Sequence, residues 1–136
     1  MTKLFNLMVL VALALTIIVW FIPVFDERFL SDEALKLLSA NGWGSFIPNP
    51  SFIYWPQLIF WVVISIGLIL RIKSARFIYF LGIISLAVAS FGWGFLVYTP
   101  LEAGLINLIN LLDGAILIMA YFTSVNNEFT SPNKTN

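Results

Sequence analysis

The chain contains no cysteine and no histidine, and only 10% of its 136 residues are charged. Without cysteine there is no disulfide, thiolate zinc site, iron–sulfur ligand or thiol nucleophile. Without histidine there is no imidazole base and no side chain whose ordinary titration falls near neutrality. Seven cations and seven anions cannot clothe a water-facing surface of this size, since a soluble domain carries about 25% charged residues. The sequence also lacks a Gly-x-Gly-x-x-Gly turn, a Walker A loop and a Gly-x-Ser-x-Gly elbow, which removes the chemistries those motifs support. No catalytic residue, cofactor or bound metal is expected, and no nucleic-acid partner.

What is there is apolar: 60% of the residues are hydrophobic and 16% aromatic. A bilayer core about 30 Å thick needs roughly 20 such residues per helix. Four runs meet that length, over 4–25, 52–70, 77–98 and 101–122. The expected fold is therefore an all-α membrane protein, a four-transmembrane-helix bundle forming one domain over residues 1–122. The tail over 123–136, rich in Asn, Ser and Thr, is expected to be flexible and polar. Lys3 and Ala12-Leu13-Ala14 resemble a signal peptide, but the apolar run continues ten residues past Ala14, so a retained helix is expected.

Cations set the orientation of such a bundle. Lys3 flanks the first run, Arg71, Lys73 and Arg76 fill the second connection, and Lys134 lies in the tail. The first connection instead carries Asp26, Glu27, Asp32 and Glu33 against Arg28 and Lys36. Both termini are expected in the cytoplasm of a bacterial cell, with the bundle in the inner membrane and the acidic loop outside. Trp20, Trp43, Trp55 and Trp93 fall near the outward boundary, as an aromatic belt requires. Arg71, Lys73 and Arg76 are candidate contacts for anionic lipid headgroups.

Local signals place the smaller elements. Thr99-Pro100-Leu101-Glu102 reads as a capping box, with Pro100 at the first helical position. Ser31 to Leu38 reads as a short amphipathic helix in the first outward loop, capped by Ser31 or Asp32 and stopped by Asn41-Gly42. Its apolar face is expected to cap the bundle or to lie on the membrane boundary. Asn49-Pro50 and Trp55-Pro56 offer two starts for the second span. Gly42-Trp43-Gly44 and Gly92-Trp93-Gly94 recur fifty residues apart, each followed by a proline six residues on, so duplicated hairpins are one reading and chance the other. Asn133-Lys134-Thr135 fits a glycosylation sequon, but it falls in the expected cytoplasmic tail.

One feature is not required by architecture. Asn107, Asn110 and Asp113 recur at a spacing of three, within a 120° arc of the fourth span, and Gly114 adjoins them. A carboxylate in hydrocarbon costs about 2.5–3.5 kcal/mol on insertion scales, so Asp113 is expected to turn inward to partners or to be protonated. Gly82, Ser85, Ala89 and Gly92 form a small-residue face on the third span, the surface expected to cover the stripe in a close hairpin. Ser85 and Ser65 lie near the depth of Asp113. The stripe is either interhelical glue or a polar site for a proton or an oxygen-ligated cation, Na⁺ or Mg²⁺ rather than a soft metal.

The expected function is that of an accessory, assembly or regulatory subunit without catalytic machinery, held to another membrane protein or to a second copy by helix packing. Two alternatives stand beside it: a small oligomeric channel or proton/cation-coupled carrier using the Asn107/Asn110/Asp113 stripe, and an immunity-type protective protein recognising a partner through the outer loop. The orientation has a direct test. A cysteine introduced at Ser39 should be labelled by an impermeant reagent outside the cell and one at Ser74 should not; the opposite pattern overturns the assignment.

Overall fold

In hydrocarbon a backbone N–H or C=O has no water to bond, so an apolar run closes its hydrogen bonds within itself as a helix. The computed structural model describes residues 1–40, 42–45, 51–93 and 96–130, without the side chains of positions 27 and 51–54. Regular structure among them is entirely helical: α1 (Thr2–Phe29), α2 (Asp32–Leu38), α3 (Ser51–Ile69), α4 (Lys73–Ser90), α5 (Pro100–Phe122) and α6 (Val125–Thr130). Three helices are long and apolar enough to cross a membrane, over Thr2–Asp26, Lys73–Ser90 and Pro100–Phe122. The apolar part of α3, Trp55–Ile69, is shorter.

The long helices form a ring in which α1 lies between α5 and α3, and α4 closes the ring by meeting α3 closely and α5 sparsely. The start of α1, the end of α3, the start of α4 and the end of α5 share one end, where α6 folds across them. There Phe5 meets Phe129 edge-on with ring centroids 6.0 Å apart. The buried core is concentrated in this half: Phe5, Val9, Leu68, Ala75, Ile116, Ala120, Val125 and Phe129. Large apolar side chains cover the outside instead, Leu4, Leu7, Phe21, Val63, Val88 and Leu111 among them. In water so continuous an apolar surface would aggregate; against acyl chains it is the stable arrangement.

The turn between α3 and α4 is held by an arginine. The amide of Ile72 donates to the Gly67 carbonyl at 2.9 Å and that of Arg71 to the Leu68 carbonyl at 3.2 Å, the paired bonds of a Schellman cap. The left-handed position of that cap belongs to Arg71, at φ 58°, where glycine is usual and another residue costs about 1–2 kcal/mol. Its side chain offsets this. The guanidinium donates to Glu128 Oε2 at 2.7 Å, to the Leu68 carbonyl at 2.7 Å and to Asn6 Oδ1 at 2.8 Å. It also lies over the Phe5 ring at 4.5 Å and the Phe129 ring at 5.4 Å. Gly67 belongs to the same turn, because a Cβ there would stand 3.0 Å from the Ala75 Cβ.

Several boundaries differ from the sequence expectation. α1 runs through Pro23 to Phe29 rather than ending at 25. α4 starts at Lys73 and stops at Ser90 rather than spanning 77–98: the glycine that follows at 92 is a poor helix former, and Pro100 disfavours helix at Thr99. The expected flexible tail is corrected over 125–130, where α6 is helical with Val125 and Phe129 buried; the polar composition hid two apolar residues four apart. α2 has Ser31 as its N-cap, accepting from Ala34 N at 3.4 Å. It buries none of its residues, so its apolar face does not cap the bundle, and Leu37 is 68% exposed. The capping box is complete, with Thr99 N to Glu102 Oε2 at 2.8 Å and Glu102 N to Thr99 Oγ1 at 3.2 Å. Gly42 and Gly44 adopt positive φ while Gly92 does not, so the two Gly-Trp-Gly segments differ in backbone where both are described. Asn41, Asn49, Pro50, Gly94 and the sequon at 133–135 lie outside the described residues.

Glu128 reads the strength of the Arg71 contact. The hydrogen bonds from Arg71 and then from Thr2 hold its carboxyl below the ordinary glutamate value. Stabilisation by a depressed carboxyl is complete above its unfolded value and is lost as the pH falls through the lowered one, so this contact is intact at neutral pH. Arg71→Ala should lower stability in detergent by roughly 2 kcal/mol. Arg71→Gly, which removes the same contacts but relieves the left-handed backbone, should be about 1 kcal/mol milder. Thermal unfolding followed by circular dichroism ranks them, and an alanine variant as stable as the glycine variant removes the strain argument.

Candidate functional site

Polar residues from four helices converge on one crevice at mid-depth. It has a volume of about 170 Å³, and four helices line it: Thr16 and Trp20 from α1, Gln57, Trp61 and Ser65 from α3, Tyr79 from α4, Asn110 and Asp113 from α5. Each helix reaches it for a local reason. Thr16 bonds its hydroxyl back to the Ala12 carbonyl at 2.9 Å, which satisfies the proton and leaves the oxygen lone pairs toward the crevice. Ser65 is buried on the inner face of α3.

Asp113 finds its partner on α4. The Tyr79 hydroxyl donates to Asp113 Oδ1 at 2.6 Å. Tyr79 lies six residues into α4 and Asp113 nine residues before the end of α5, a difference in depth of about 5 Å at 1.5 Å per residue, which the length of the phenol side chain spans. Behind Tyr79 stands Trp61, edge to face at 5.6 Å, and Phe60 follows at 5.3 Å. This run of rings joins α3 to α4 behind the one carboxylate in the crevice wall, and the Tyr79–Asp113 bond itself crosses the sparse α4–α5 seam.

The residues singled out from the sequence divide between several places. Asp113, Asn110 and Ser65 are brought together at the crevice, with Asn110 at its exposed rim. Asn107 is exposed on the outside of α5. Ser85 is also exposed and lines a separate groove of about 330 Å³ between α3 and α4, with Gln57, Phe60 and Gly82. The expected small-residue cover for the stripe is corrected. Gly82 faces α3, where a Cβ would meet the Phe60 ring at 2.9 Å. Ala89 is half-buried, and Gly92 lies beyond the helix with its carbonyl accepting from Ser45 Oγ at 3.0 Å. Gly114 has nothing within 4 Å of an added Cβ. The physical reason is that α5 packs chiefly on α1 and α4 on α3, so the hairpin of adjacent spans is not the closest pair.

Of the three residues assigned to lipid headgroups, Arg71 is 13% exposed and turned into the protein. Arg76 bonds the Asn126 side chain and lies over the Tyr121 ring at 5.1 Å. Lys73 is exposed. With Ser74, Arg76, Phe77 and Tyr121 it lines a depression of about 530 Å³ at the start of α4.

Tyr79, Trp61, Thr16, Trp20 and Gln57 were not legible as site residues, because an aromatic or hydroxyl residue in an apolar run carries no periodic signal of its own. Tyr79 had one weak mark: it shares a helix face with Gly82 and Leu86, three and seven residues on. Chemically the crevice offers a single carboxyl group, hydroxyl and amide oxygens and aromatic walls. No group of three His, Cys, Asp or Glu side chains that could hold a metal ion occurs among the described residues.

The Tyr79–Asp113 bond gives a quantitative expectation. Interhelical hydrogen bonds in membrane proteins average about 0.6 kcal/mol and reach about 1.7. The short distance and the ionisable acceptor put this one toward the upper end, so a double-mutant cycle of Tyr79→Phe with Asp113→Ala should give a coupling of about 1–1.5 kcal/mol; additivity of the two variants means that the bond does not join α4 to α5. No family model matches this chain, and neither a curated protein nor a solved structure was found to be similar to it.

Proposed function

We propose that this chain is a non-catalytic accessory or assembly subunit of a membrane complex, joined to a partner helix through the outer face of α5. The observation that carries this reading is a seam. Gly104, Asn107, Leu111, Gly114 and Ile118 follow one another at alternating spacings of three and four, the repeat of left-handed helix packing. An added Cβ at Gly104 or Gly114 would meet nothing within 4 Å. Leu111 is 71% and Ile118 59% exposed, and Asn107 is exposed between Gly104 and Leu111. Small residues admit a close backbone, and an amide facing lipid gains a hydrogen bond only from another helix. A lone asparagine in such a seam also fixes register.

The membrane setting belongs to the same proposal. α3, packed between α1 and α4, crosses with them, which gives four spans in the bacterial inner membrane. The α6 end with Lys73 and both termini lies in the cytoplasm, and α2, with exposed Trp43 and Trp55 nearby, lies at the outer boundary. A second reading, a proton- or cation-coupled carrier, is favoured by a different observation: the crevice that holds Asp113.

Substitutions at the two open glycines separate partner loss from misfolding, because the protein itself has room for the side chain. Purified from native membranes in mild detergent, the chain should bring a membrane partner with it. Gly104→Leu with Gly114→Leu should cut that recovery at least tenfold at unchanged thermal stability. A wild-type chain that emerges as a lone monomer, or a double variant that keeps its partner, overturns the proposal.

A further inference from the structure

The crevice has a definite chemistry, and we propose that it binds a small monovalent organic cation, a primary or methylated ammonium of about five non-hydrogen atoms. This inference rests on the carrier reading of the crevice and names its ligand class. Size is the first argument. About 170 Å³ holds roughly five groups the size of water at about 30 Å³ each, which suits a tetramethylammonium-sized ion.

Charge is the second. Asp113 is the one carboxylate among the lining residues, and no lysine or arginine is among them. The nearest strong cations are committed at the α6 end, Arg71 to Glu128 and Asn6 and Arg76 to Asn126. The cavity therefore favours a positive ligand and repels an anion. Tyr79 holds Oδ1 of Asp113, which leaves Oδ2 to meet the ligand.

The walls decide between an inorganic and an organic cation. Na⁺ or Mg²⁺ is held by a shell of about six oxygens, whereas Trp20, Trp61, Tyr79, Leu13 and Ile109 make much of this wall apolar. Aromatic rings do attract a desolvated ammonium, whose charge is spread over its methyl or N–H groups. For a primary ammonium, acceptors are at hand: Thr16 Oγ1, whose proton is already given to Ala12, and the side-chain oxygens of Ser65 and Asn110.

Equilibrium binding of radiolabelled tetramethylammonium to the purified full-length chain tests this. One saturable site per chain is expected, with no competition from tert-butyl alcohol, a neutral molecule of similar size. Asp113→Asn should weaken binding at least tenfold and Trp61→Leu at least threefold. Asn110→Asp, which adds a second carboxylate at the rim, should tighten it and provides a reading even if Asp113→Asn does not fold. Absence of saturable binding to the wild type, or equal affinity in the Asp113→Asn and Asn110→Asp variants, overturns the proposal. Flux in proteoliposomes separates the two levels. Tetramethylammonium binding without any ion flux keeps the site and removes the carrier reading, whereas sodium or proton flux without such binding removes this ligand and keeps the carrier.

Discussion

Everything at the closed end of the bundle depends on one side chain. Arg71 occupies the left-handed position of the α3–α4 turn, a place where its backbone is strained and a glycine would be at ease. The strain persists because the surroundings over-determine it: one guanidinium is shared among the start of α1, the last turn of α3 and α6. A planar donor with five N–H groups can make such a junction, and a lysine cannot. The sequence alone suggests a cation that fixes topology and touches lipid. In the structure the same cation is a tie within the protein.

The tie makes the packing uneven. Where α6 crosses the helix ends, Phe5, Leu68, Ile116 and Val125 are fully or almost fully buried. Toward the other end few side chains are buried, among them Ile22, Leu58 and Glu102, and the α4–α5 seam is sparse. A crevice forms where the helices diverge, and Asp113 sits in it because hydrogen bonding to Tyr79 is the available way to satisfy a carboxylate at that depth. The polar stripe of α5 is thus divided. Asp113 and Asn110 line the crevice, and Asn107, one turn away, is exposed on the outside.

The apolar runs, the capping box at Thr99 and Glu102 and the short helix after Ser31 were legible in the sequence. Each is a local rule: a stretch that must close its own hydrogen bonds, or a side chain within three residues of the amide it caps. The failures were non-local. α6 looks like tail in the sequence because only Val125 and Phe129 in it are apolar, and their burial needs Phe5 and the end of α5 to be present. Gly82 and Gly92 suggest a cover for Asp113 only because spans three and four are neighbours in sequence, and proximity along the chain does not decide which helix faces pair.

Composition and local chemistry by themselves determined that this chain is helical and built for a membrane, with one carboxylate that architecture does not require. Only the tertiary structure decided that Tyr79 answers Asp113, that Asn107 is left facing outward and that Arg71 turns inward rather than toward lipid. The reason is physical. Hydrogen bonds within a helix fix its existence wherever it lies, whereas the partner of a polar side chain is set by rotation of one helix against another. In hydrocarbon that rotation is chosen by the whole ring of contacts at once.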